Sequence, residues 1–118
     1  MKLKYPTLLL SVLLPISTFA NTKLPKDKFE DALFERDMEI AKSFQDLSND
    51  PQNGINTCYT YTLLKEKHEF VKKNSTYIEN NYSLQKVLLS EKPLIAQFES
   101  ILKKNKIPCN IREYTNLL

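Results

Sequence analysis

Few residues in this chain are of a type that does chemistry, and their spacing limits what they can do. His68 is the only histidine and lies in the run Lys67-His68-Glu69. A zinc site needs several thiolate or imidazole ligands at suitable spacing. This run does not supply them, so no metal ligand is assigned. Glu66 and Glu69 fall one turn apart on a helix and could flank a ligand, but with Lys65, Lys67 and Lys72 around them they read as a solvated face. Ser43, Thr60, Ser75 and Ser83 carry hydroxyls that could be paired with His68. A nucleophile needs a base and an orienting group, and nothing in the sequence singles out one hydroxyl. One glycine, Gly54, cannot build a phosphate-cradling loop. These residues point away from an enzyme, and neither a catalytic residue nor a cofactor is expected.

Cys58 and Cys109 are the two cysteines, and they lack a redox-motif spacing. In an oxidising compartment a paired count in a small domain argues for a disulfide. Two buried thiols or an intermolecular bridge are the alternatives. An intramolecular bond would remove denatured-state entropy worth about 4 kcal/mol on the chain-entropy model.

The compartment is read from residues 1–20. Lys2 and Lys4 form a short cationic start, Leu8 to Ile16 is almost wholly apolar, and Thr18-Phe19-Ala20 offers small residues for cleavage. That order is the secretory pattern, and the apolar run is shorter than the ~20 residues that span a bilayer. An uncleaved anchor or a core helix is the competing reading. A cleaved signal peptide, a mature start near Asn21 and a periplasmic location are therefore expected, with no membrane insertion after cleavage. The remaining 98 residues suffice for one domain, 21–118, with 15 basic and 14 acidic side chains. A nucleic-acid binder shows a basic stripe; this chain, at that charge balance, is not expected to be one.

The elements that must position these residues are helices. Leu, Lys, Glu and Gln are abundant, and apolar residues recur at three- and four-residue spacing. A first helix is predicted from about Pro25 to Leu47, with Phe29, Leu33, Ile40, Phe44 and Leu47 on one face. Ser48 to Gly54 collects the strongest helix breakers and predicts a loop. A second helix follows from near Ile55 to about Lys73, with Ile55, Cys58, Tyr59, Leu63 and Phe70 inward and Tyr61, Leu64 and Val71 on the flank. Tyr77 to Leu89 suggests a third. Ser90-Glu91-Lys92-Pro93 reads as the start of a fourth, since proline is tolerated in a first turn. The fold class is thus all-α: a small bundle of about four helices with one disulfide, closed by a final turn at Ile111, Tyr114, Leu117 and Leu118.

Loops on a rigid scaffold commonly carry function, so Asn49, Asp50, Gln52 and Asn53 are the candidate partner-binding residues. The same segment also reads simply as the longest inter-helix turn. Asn56-Thr57-Cys58, followed by Cys109-Asn110-Ile111 and an end near Leu117, resembles periplasmic type VI secretion amidase immunity proteins over roughly residues 55–118. Those are small exported helical proteins with one helix cysteine and another close to the C terminus. The resemblance implies a protein that neutralises a peptidoglycan amidase effector by occupying its active site; no inhibitory residue is carried over. The alternative is a non-catalytic structural or assembly component of an envelope or secretion machine, using the charged first helix as its partner surface and compatible with a homodimer.

Overall fold

The computed structural model describes residues 24–109. The expected signal peptide, cleavage point and final C-terminal turn lie outside them. Within that span the chain is all-helical: α1 is Lys26–Asn49, α2 is Gly54–Lys73 and α3 is Tyr82–Lys104, with a 3-10 turn at Ser75–Tyr77. Helix α2 packs against both of the others. There are three long helices rather than about four.

The missing boundary is at Pro93, which lies inside α3 rather than opening a helix. Proline removes one ladder bond, the one to the carbonyl four residues back. That carbonyl belongs to Leu89, and both residues are exposed, so water can take the bond. The Ser90 hydroxyl, expected as a cap, instead donates to the Val87 carbonyl at 2.7 Å. The helix start lies earlier, where the Asn81 side chain accepts from the Leu84 amide at 3.0 Å.

The helices share a spacing of alternating threes and fours, the coiled-coil repeat. On α1 the inward stripe is Phe29, Leu33, Arg36, Ile40, Ser43 and Leu47; on α3 it is Leu84, Leu88, Glu91, Ile95, Phe98 and Leu102. Helix α2 buries Thr57, Thr60, Leu64, Lys67 and Val71 at the same spacing. Between two neighbours it has little exterior, so the expected flank residues Tyr61, Leu64 and Val71 are buried and Ile55, expected inside, is 65% exposed. Three threonines survive burial because each hydroxyl returns to a carbonyl four residues back: Thr57 to Asn53, Thr60 to Asn56 and Thr62 to Cys58.

Each end of the bundle is fastened differently. At one end Leu24 donates its amide to Asn74 at 2.8 Å and accepts from the Tyr77 hydroxyl at 2.6 Å. Phe29 stacks there on Phe70 and meets Tyr77. At the other end the chain leaves α3 through Lys106 at φ 52°, and the Ile107 amide returns to Leu102 at 2.9 Å. Ile107 then covers Gly54, and Cys109 bonds Cys58 with their Cα atoms 5.5 Å apart.

Candidate functional site

The predicted partner-binding residues lie at the tip of the α1–α2 hairpin. The connection is Asp50 to Asn53, four residues, because Ser48 and Asn49 still belong to α1 and Gly54 to α2. Two of the four candidates have structural work. Asn53 caps α2, its Oδ1 accepting from the Ile55 amide at 2.9 Å and the Asn56 amide at 3.1 Å, while its Nδ2 donates to Asp50 at 3.3 Å. Asp50 closes α1, its amide donating to Asp46. Asn49 and Gln52 are exposed, and so is Ile55 beside them.

The tip is held from behind. Ile107 touches the Gly54 backbone, with side-chain carbons 3.1–3.4 Å from where a Cβ would stand. One turn further into α2 the Cys58–Cys109 bond ties the tip to the strand of chain leaving α3. A polar turn with one apolar side chain is thus presented on a braced base. At the tip, Ile55 is the residue that sequence reasoning placed on the wrong side. Its position at the first turn of α2, ahead of the stripe beginning at Thr57, was the available signal.

Glu66, Lys67 and His68 enter a layer of ionisable side chains across the middle of the bundle, while Glu69 and Lys72 are exposed. Lys67, read from the sequence as part of a solvated face, is 1% exposed; its Nζ lies 2.7 Å from Asp37 on α1 and 2.8 Å from Glu91 on α3. Burial by itself would push its pKa down. The hydrogen bonds and charges of Asp37 and Glu91 together outweigh that and hold it above the ordinary lysine value. His68 uses Nε2 on the other Glu91 oxygen at 2.9 Å. Arg36 Nε reaches both oxygens of Glu66 at 2.8 and 3.0 Å and its guanidinium lies 3.8 Å from the Phe70 ring centroid. Ser43 and Thr60 spend their hydroxyls on backbone carbonyls. Arg36, Glu66, Lys67 and His68 are thus engaged between helices, whereas the Ser43 and Thr60 hydroxyls stay within their own. Among the described residues no group of three or more His, Cys, Asp or Glu could hold a metal ion, and no helix is long and apolar enough to cross a membrane.

The outer surface of α1 carries a second feature that sequence reasoning missed. Phe34 is 64% exposed and Met38 57%. They lie one turn apart; both line a shallow groove with Tyr59 and Leu63 of α2, and Phe34 also lines a second one with Leu84 and Val87 of α3. Their offset from the Phe29–Leu47 stripe was the signal. No protein-family model matches the chain, and neither a curated protein nor a solved structure is significantly similar to it.

Proposed function

We propose that the protein works by binding another protein, as an exported periplasmic inhibitor that neutralises a cell-wall hydrolase, of amidase type, by seating the α1–α2 tip in its active site. The observation that carries this reading is the braced tip: Asn49, Gln52 and Ile55 project from a turn capped by Asn53 and tied at Cys58. Preorganised binding elements lose less conformational entropy on association. One exposed apolar side chain amid polar ones also has the form of an anchor with a hydrogen-bonding rim. The cysteine positions that resemble amidase immunity proteins support the choice of hydrolase.

The test uses the full chain with a C-terminal tag, expressed in its own host, recovered with its partner and identified by mass spectrometry. A stoichiometric peptidoglycan hydrolase, silent in the complex and active when freed, is the expected outcome. Ile55→Asp with Gln52→Arg should then weaken inhibition by at least about 100-fold, the scale of a lost interface hot spot. Full inhibition by that folded variant would retire the tip. A second reading, a structural or assembly component of an envelope machine, is favoured by the apolar residues left exposed on α1. Recovery of machine subunits in place of a hydrolase would select it.

A further inference from the structure

The charges of this protein are sorted by helix. Helix α1 holds seven acidic and four basic residues, whereas α2 and α3 each hold four basic and two acidic. The near-neutral total hides a molecule with one acidic side. Arg36 belongs to the inward stripe, bonded to Glu66 and over the Phe70 ring, so it does not offset the outer face of α1. Asp27, Glu30, Asp31, Glu35 and Glu39 are all exposed there, and exposed Lys28 and Lys42 offset only part of that charge. The negative field reaches Tyr59: burial raises the pKa of its hydroxyl, and the Glu39 charge and hydrogen bond raise it further.

Phe34 and Met38 stand in the middle of that acidic face. At ~100° per residue, Phe34 lies about 140° and Met38 about 180° around the helix from the buried stripe. They are not core residues leaking to the edge. With exposed Ala41 they form an i, i+4, i+7 line, an apolar stripe of the kind along which helices pair. From this we infer that the outer face of α1 is a docking surface for an amphipathic helix of a partner protein, its apolar stripe flanked by lysine or arginine.

The acidic flanks select that occupant. Anionic lipid and nucleic acid are repelled by Glu30, Asp31 and Glu35. A second copy meeting α1 on α1 across a two-fold axis would set acid against acid, because such an interface brings identical patches together. A basic rim meeting these carboxylates instead gains steered association and partner selection.

This inference rests on the second reading above and does not involve the hairpin tip, so the two can fail separately. The probe is a synthetic amphipathic Leu/Lys helical peptide, labelled for fluorescence anisotropy, with a Leu/Glu peptide of the same pattern as its control. The Leu/Lys peptide should bind the full chain and weaken as salt rises, and the Leu/Glu peptide should not bind. Phe34→Ser with Met38→Ser, both at exposed positions, should weaken the Leu/Lys peptide about tenfold or more, as loss of anchor residues does. Ile55→Asp with Gln52→Arg should leave this binding unchanged while weakening hydrolase inhibition by at least about 100-fold if the tip reading holds. The inference is overturned by failure of the Leu/Lys peptide to bind, by equal binding to the Phe34→Ser/Met38→Ser protein, or by equal binding of the Leu/Glu peptide. Sedimentation showing a dimer that the double variant dissociates would overturn it too, in favour of a second copy.

Discussion

Lys67 keeps its charge at the centre of the bundle because each flanking helix brings it a carboxylate. Removing one partner of a buried ion pair costs about 3–5 kcal/mol, since the other charge stays behind undersolvated. Asp37 is half-exposed and Glu91 retains His68, so Lys67→Met should fall at the low end, about 3 kcal/mol, in urea denaturation. Adding Glu91→Leu should recover part of that loss, because the stranded carboxylate is then gone. The same group has a pH signature. Its folded-state pKa is raised, so its contribution is complete below the unfolded value of about 10.4 and is lost as pH climbs through the folded one. Tyr59 and Tyr61 are also raised, chiefly by burial and then by Glu39 and Glu99 respectively, and act in the same direction. Stability should therefore fall above about pH 10, and less steeply in the Lys67→Met protein. Lys106 is a different case. It occupies a left-handed backbone conformation that glycine adopts freely, so Lys106→Gly should raise stability by up to about 1 kcal/mol.

At the scale of the helices, α3 shows how packing overrides a local signal. Ser90 and Pro93 carry the composition of a helix start, yet the stripe from Leu84 to Leu102 runs through them without a change of phase. A break there would put Leu94, Ile95 and Phe98 out of register with α2, a larger loss than one ladder bond. Pro93→Ala should accordingly stabilise the protein by about 1–3 kcal/mol by chemical denaturation, restoring the bond to Leu89. The α1–α2 turn obeys its local signal more closely. Asn53 caps as its type suggests, and Asn53→Ala should cost about 1 kcal/mol. Loss of binding in that variant would be mixed with loss of the cap, so Asn49, Gln52 and Ile55 are the positions that report on binding.

For the whole molecule the disulfide matters most. It joins residues 51 apart, and Cys58→Ser with Cys109→Ser should lower stability by about 4 kcal/mol in the unfolded-state entropy model. The unfolded native protein, without reductant, should show no free thiol. The bond also holds the Ile107 segment over Gly54 and so braces the tip; reduction should loosen the amides of Gly54 to Cys58 in hydrogen exchange before the middle of α2 opens.

Helical class, the α1 and α2 boundaries, the loop near Asp50 and the cysteine pairing were legible in the sequence. Each depends on local chemistry: propensity, caps and breakers, or a choice with only two cysteines to pair. Which side of a residue faces inward was not. Helix α2 is enclosed from both sides, so amphipathic periodicity misplaces Ile55, Tyr61 and Lys67. The Lys67 site exists only because Asp37 and Glu91, 30 and 24 positions away, arrive at the same level. The sequence alone determined that helices form, where most of them stop and that Cys58 and Cys109 are the one pair an intramolecular disulfide could join. Tertiary structure alone decided that Pro93 sits within a helix, that a lysine is buried and that Ile55 is left outside, because these outcomes depend on energies shared between helices.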